Sequence, residues 1–224
     1  MSSIEKRQTA DLPRYAKIRQ MRRGNYDRSL AYEILDAGMV AHVGFIHENR
    51  PMVIPMAYAR IDDQLFIHGA SSTRIVKANG GGVPACLEVT MIDGFVVARS
   101  GFHHSVNYRC AIAHGTARVV EDPDLQTRAL AAITDHLLPG RWDECRQMTA
   151  TELKATGVLV FDIEHISTKV RTGGPVDDKE DLGTDVWAGV VPVVTALGQP
   201  LAAPDVPEKT PVPASVPAAR RKFA

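Results

Sequence analysis

The sequence predicts a mainly β fold of the α+β class: a small barrel of about six strands with helices at its periphery. Three observations carry that expectation. Short β-rich segments recur with turn residues between them. One long helical segment stands between strands. No alternation of strand and helix suggests a doubly wound sheet.

The elements follow in chain order. Residues 1–27 are polar and basic and read as a solvated arm. SLAYEILDAG (29–38) is a helix, with Ser29 as cap, Leu30, Ile34 and Leu35 on one face, and Gly38 as its stop. MVAHVGFIHE (39–48), PMVIPMAYAR (51–60) and DQLFIHGA (63–70) form a meander divided by ENRP and IDD. Pro55 marks the second of these as an edge strand or a bulge, because proline cannot donate to a ladder. SSTRIVKANGGG (71–82) reads as a short helix stopped by glycines. VPACLEVTMIDG (83–94) pairs with FVVARS (95–100), and NYRCAIAHGTARVV (107–120) is a long strand with a bend at Gly115. EDPDLQTRALAAITDHLL (121–138) is the clearest helix, with Pro123 in its first turn. A short helix at 149–157 precedes two strand-like segments in VLVFDIEHISTKVRT (158–172). The domain spans 28–198, and a Pro/Ala-rich tail, 199–224, is expected to be disordered.

Bulk properties exclude several classes. Lys+Arg and Asp+Glu both number 26, so net charge offers no footprint for nucleic acid. No apolar run reaches the roughly 18–20 residues that cross a bilayer, and no secretory leader is visible, which predicts a cytoplasmic protein without a membrane partner. The three cysteines are scattered without a CxxC pair. They specify neither a disulfide framework nor a metal site, and Cys86 and Cys110 read as core residues.

Four stretches carry possible chemistry. In HGASSTRIVK (68–77), Ser71, Ser72 and Thr73 open a helix whose free N–H groups favour an anion, and Arg74 and Lys77 share a face that can clamp a phosphate. His68 stands just before it. SGFHHSVNYR (100–109) gathers His103, His104, Asn107, Tyr108 and Arg109 where one strand hands over to the next, far more hydrogen-bonding side chains than a turn requires. In STKVRTGG (167–174), Lys169 and Arg171 share one face of an extended segment. No nucleophile with a base and no carboxylate pair is evident. A phosphate-binding edge without acid–base machinery suits a protein whose cofactor does the chemistry.

These motifs, in order, resemble the FMN-binding split-barrel proteins related to pyridoxamine 5′-phosphate oxidase, nearest the nitroimidazole-resistance branch. The matching pieces are RGNYDR, VIPMAYAR, QLFIHGASSTRIVKAN, SVNYRCAIAHGTARVVEDPD, and ISTKVRTGGPVDD with VWAGVVP, spanning about 24–195. The resemblance implies a six-stranded split β-barrel and a homodimer with FMN at its interface. Val53, Ile54, Pro55 and Met56 would run beside the flavin ring, and His68 through Arg74, with Lys77, would hold the phosphate. Lys169 would complete the site, and Asn107, Tyr108 and Arg109 would approach the cofactor. It implies an oxidoreductase acting on a small molecule with a nicotinamide reductant, with His103 or His104 as candidate proton donors. The arginine- and histidine-containing C-terminal motif of true pyridoxamine phosphate oxidases has no counterpart, and the acidic GGPVDDKEDLGTD stands near that point. Related barrels bind deazaflavin or haem, for which His68, His103 and His104 are the candidate iron ligands. A non-catalytic flavin module and a cofactor-free interaction barrel complete the alternatives.

Overall fold

The computed structural model describes residues 12–77 and 82–224. One antiparallel sheet of nine strands dominates, rather than the six expected. Its path runs β3 (Arg50–Met56), β2 (Ala41–His47), β6 (Val83–Val97), β7 (Ser105–Val119), β8 (Thr156–Arg171), β5 (Gln64–Ala70) and β4 (Tyr58–Ile61). β1 (Gly24–Asn25) joins β8 and β9 (Gly189–Pro192) joins β6. The two ends of the path, β3 and β4, are not paired with each other, yet only Ala57 separates them in the chain. The sheet must therefore curl until its ends meet, which gives the barrel shape without a closed ladder.

Two apolar clusters flank that curl. α1 (Arg28–Ala37) buries Ala31, Ile34 and Leu35 against Val43, Tyr58, Leu87 and Phe161 inside the barrel. α3 (Pro123–Leu137) buries Ala129, Leu130 and Ile133 against Ala59, Phe66, Val158 and Val160 on the outside. β5 lies between the two clusters. This explains why Leu65, Phe66 and Ile67 are all buried in a row, where a strand with one wet face would alternate. Cys110 is buried and Cys86 half-buried, and burial pushes both thiols up, as befits core residues.

Local chemistry sets the boundaries. The cap of α1 is Asp27, not Ser29: its carboxylate accepts from the Ser29 N–H and hydroxyl, each at 2.9 Å. Glu48 and Asn49 both take positive φ, giving the two-residue turn that joins β2 to β3. Pro55 lies in β3, the last strand on its side of the sheet, as its missing donor requires. Gly115 marks a register shift against β8, and a methyl group there would run into the Asp162 carbonyl. α4 (Arg141–Glu144) and α5 (Ala150–Ala155) follow α3, the latter opened by a Thr149–Glu152 capping box.

Further expectations change. The segments read as two strands at 83–94 and 95–100 are one long strand, β6, with a bulge between Ile92 and Gly94. The last two strand-like segments are likewise one strand, β8. The helix read over 71–82 starts only at Arg74, as α2 (Arg74–Lys77): 71–73 form a turn, and 78–81 lie outside the described residues. The tail has no helix or strand up to residue 214, in keeping with its composition, but it ends in α6 (Ser215–Lys222). Ser215, Ala219 and Phe223 are buried there, and Ser215 donates through its hydroxyl (2.6 Å) and amide (3.1 Å) to the Glu144 carboxylate. Small side chains let this helix sit close, which composition alone reads as disorder.

Behind α6 lies a polar knot. Lys222 donates to the His136 carbonyl at 2.5 Å and faces its Nδ1 at 3.4 Å. The His136 Nε2–H must then be the donor to the Gly38 carbonyl, at 2.6 Å. The Tyr58 hydroxyl donates to the carbonyls of Leu35 and Gly38. Burial holds the His136 imidazole below its ordinary pKa and pushes the Tyr58 hydroxyl up. Among the described residues, no helix is long and apolar enough to cross a membrane.

Candidate functional site

The chain delivers the first group of candidates at the end of β5. The last rung of its ladder pairs Ala70 with Thr156. The chain then turns sharply: the Ser71 N–H donates to the Ala155 carbonyl and the Thr73 N–H to the Ala70 carbonyl, both at 2.9 Å. Ile75, fully buried, anchors α2 and leaves Ser71, Ser72, Arg74 and Lys77 exposed around the turn. Beneath them, two buried polar atoms have no hydrogen-bond partner within the chain, His68 Nδ1 and Thr73 Oγ1. Burial also lowers the His68 pKa, which keeps the ring neutral and able to accept or donate. Buried polar atoms are nearly always satisfied, so two orphans under one turn mark a place built for a further group.

β3 borders the same end. Met56 lies beside Gly69, and Ile54 packs on the core. Val53 and Pro55 point outward and are exposed. As an edge strand, β3 turns half of its backbone groups away from β2, open to a partner.

The second group sits elsewhere. Asn107, Tyr108 and Arg109 lie near the start of β7: Asn107 faces Gly94 of β6, and at the far end of β8 Tyr108 faces Arg171 and Cys110 faces Lys169. Thirteen residues of β8 separate Thr156, beside the Ser71 turn, from Lys169. At about 3.3 Å per residue that is roughly 40 Å of strand. Within one chain, Asn107, Tyr108, Arg109 and Lys169 therefore do not reach the His68–Lys77 group. His103 and His104 lie in the β6–β7 connection, at the opposite end of β6 from α2.

Most of this second group is already engaged. Asn107 is buried, accepts from the Arg171 guanidinium, and donates to the Gly173 carbonyl at 3.1 Å. Arg171, also buried, donates to the carbonyls of Gly173 and Gly174, each at 3.3 Å. Its pKa is lowered, first by burial and then by the charge of Arg23. Arg109 forks onto Asp93 across the β6–β7 ladder, at 2.8–3.2 Å. The Lys169 ammonium lies 5.9 Å from the centroid of the Tyr108 ring.

SGFHHSVNYR is thus the anchorage for the chain that follows β8. Arg99 holds Asp177 through its amide (2.9 Å) and guanidinium (2.7 Å), which keeps that carboxyl below the usual range. His103 Nε2 meets Asp178 at 3.1 Å, and His104 Nδ1 donates to the Ser100 carbonyl at 2.9 Å. The acidic loop after Gly174 is strapped across the strand connection by these pairs. Trp187, beyond it, is exposed.

Sequence reading did not single out a third group, Tyr15, His114 and His165. His114 and His165 are register partners on β7 and β8, and the Tyr15 ring stands edge-on to both, at 5.1 and 6.0 Å. Tyr15 lies about 100 residues from His114 and 150 from His165 in sequence, and no local pattern announces the contact.

Comparison with known proteins agrees with this architecture. The family model described as pyridoxamine 5′-phosphate oxidase matches residues 27–170. Among solved structures, the flavocytochrome Anf3 from Azotobacter vinelandii is 33% identical, with a TM-score of 0.85 over 92% of this chain and 96% of that one. The FAD and heme binding protein from Mycobacterium smegmatis is 38% identical, with a TM-score of 0.84 over 88% and 97%. A proposed 5-nitroimidazole antibiotic resistance protein from Bacteroides thetaiotaomicron shares the fold at 18% identity, with a TM-score of 0.54 over 66% and 86%. No curated protein matches. This chain belongs to the pyridoxamine 5′-phosphate oxidase family, as the resemblance of its motifs implied.

Proposed function

We propose that the chain binds a flavin nucleotide at the β5–α2 turn and uses it to move electrons to or from a small molecule. The carrying observation is the pair of buried, unpartnered atoms, His68 Nδ1 and Thr73 Oγ1, beneath exposed Ser71, Ser72 and Arg74. A phosphate suits that turn: Arg74 and Lys77 supply charge, Ser71 and Ser72 supply hydroxyls, and Thr73 lacks an acceptor. Residues 53–56 of β3 offer open backbone groups to the ring. When bound, the flavin supplies the electron-transfer chemistry. This chain's residues would hold its phosphate at the Ser71–Arg74 turn and offer β3 backbone groups to its ring. FMN is the form the motifs imply, whereas the name of the mycobacterial relative speaks for FAD. The substrate is a small molecule, the reductant a nicotinamide nucleotide, and the setting the cytoplasm.

The remaining members of the implied set, Asn107, Tyr108, Arg109 and Lys169, serve the same flavin only from a second copy, so the reading carries a homodimer with it. The test is the visible spectrum of the purified protein, with the released nucleotide identified chromatographically and the mass measured by light scattering. Flavin bands that weaken in Arg74→Ala support the reading. A protein that takes up neither FMN nor FAD overturns it. Haem is a second reading, favoured by the names of the two relatives above 30% identity. His68 has a buried, unpartnered ring nitrogen, and His103 and His104 each keep one ring nitrogen outside the bonds described above. A Soret band lost in one of the three alanine variants supports it, and no Soret band after haem addition removes it.

A further inference from the structure

The turn after β5 adjoins a hollow of about 510 Å³, within the roughly 300–1,000 Å³ of small-ligand pockets. Ala155, at the end of α5, joins the two: its carbonyl accepts from the Ser71 N–H at 2.9 Å, and its side chain lines the hollow. Thr156, the ladder partner of Ala70, lines it too, with Arg146, Met148 and Glu152. A ligand with its phosphate on the turn therefore has β3 within reach through Met56 and Gly69, and this hollow within reach through Ala155 and Thr156.

The wall of the hollow is fixed by its own bonds. The Gln126 amide donates to the carbonyls of Leu153 and Thr156, at 3.0 and 2.8 Å, and the Thr156 hydroxyl donates to the Glu152 carbonyl at 2.9 Å. Arg146 forks onto the Glu152 carboxylate, at 2.9 and 2.5 Å, and donates to the Gln147 carbonyl at 3.1 Å. These bonds use the edge of the guanidinium and set its plane, while the side chain stays 70% exposed. A guanidinium held by its edge keeps its flat face free, and that face stacks on aromatic rings. Half-buried Met148 adds a thioether, which also favours contact with a ring. Among the described residues, the charges lining the hollow are this one pair, and they cancel. The hollow thus suits a flat, neutral group and not a further phosphate. Glu152 Oε1 accepts only from Arg146 among the described residues, so it can take one hydroxyl as well. On the turn itself, Arg74 and Lys77 bring two cations, a match for two linked phosphates.

We propose that this hollow takes the adenosine end of a dinucleotide, so that FAD is the flavin this chain selects over FMN. This rests on the flavin reading and gives Arg146, Met148 and Glu152 the choice between the two forms. The test is calorimetric titration of the full-length protein, freed of bound nucleotide, with FAD and with FMN. FAD is expected to bind at least about tenfold more tightly, the scale of one stacked base. Arg146→Lys keeps the charge and loses the flat face, and Ala155→Trp fills the hollow and removes no charge. Each should weaken FAD by at least about tenfold and leave FMN within about twofold. Arg74→Ala, on the turn, should weaken both. FAD binding no tighter than FMN overturns the proposal and leaves the flavin reading standing, as do variants that weaken the two flavins alike or weaken neither. A protein that takes up neither flavin fails the flavin reading, and the adenosine site falls with it.

Discussion

Asn107→Ala separates a structural role from a cofactor role at a position where sequence and structure point differently. The Asn107 amide links two buried partners: its oxygen accepts from the Arg171 guanidinium, and its nitrogen donates to the Gly173 carbonyl at 3.1 Å. A hydrogen bond to a charged group contributes about 1.5–3 kcal/mol and a neutral one about 0.5–1.5 kcal/mol. The guanidinium is already short of a partner, since Arg171 Nε is buried without one, so it has no spare acceptor to turn to. The expected loss is therefore about 2–4 kcal/mol, or roughly 5–15 °C in Tm for a chain of this size. Urea unfolding followed by circular dichroism measures it, with an unchanged slope as the sign that only stability moved. Asn107→Asp keeps an acceptor for Arg171 and loses the donor to Gly173, so it should fall between wild type and alanine. A cost below about 1 kcal/mol for Asn107→Ala would refute the clamp. Loss of bound flavin at unchanged stability would return the residue to the cofactor.

Three further outcomes follow from the buried polar groups and the bulge. Burial depresses the His136 pKa, so below the ordinary histidine value of about 6.5 the unfolded chain takes up a proton that the folded chain refuses. Stability is full above that pH and falls as pH drops, by up to about 1.4 kcal/mol per unit; urea midpoints at pH 7.5, 6 and 5 should decline less steeply in His136→Gln. Tyr58→Phe leaves the Leu35 carbonyl without its donor and should cost about 1–3 kcal/mol by thermal unfolding, an unchanged Tm refuting the assignment. Gly115→Ala drives a methyl into the Asp162 carbonyl, and urea unfolding should show a loss of about 1–3 kcal/mol, far above that of Gly101→Ala, where the space is open.

The fold was legible where one residue dictates local geometry. Pro55 fixed an edge, Gly115 a bend, and Pro123 a helix start, and each stands where its chemistry requires. The reading failed where a tertiary partner overrides a local signal. Asp93–Gly94 looks like a hairpin turn, but Arg109 takes the Asp93 carboxylate and the Val193 N–H takes its carbonyl, at 3.1 Å. The would-be turn is flattened into a bulge, and two strands become one. The same holds for α6: its Ala- and Pro-rich sequence has little to bury alone, and Glu144 and His136, which hold it, lie some seventy to ninety residues upstream.

The candidate site was legible residue by residue but not as a place. His68, Ser71–Arg74 and Lys77 follow one another along the chain, so their convergence needed only the turn after β5. Lys169 and Asn107–Arg109 were joined to them by resemblance, and one chain holds them at the other end of β8. A lysine side chain spans only a fraction of that strand, and a hydrogen bond adds about 3 Å. A single chain therefore cannot bring both groups to one phosphate. If all of them serve one flavin, its stoichiometry is set by a pair of chains, and dilution that splits the pair must release the flavin. If the flavin stays bound to a monomer, Lys169 does not serve it. Light scattering and absorbance along one dilution series distinguish the two, because a residue's neighbours in a barrel are set by strand register, which the order of motifs along the sequence does not record.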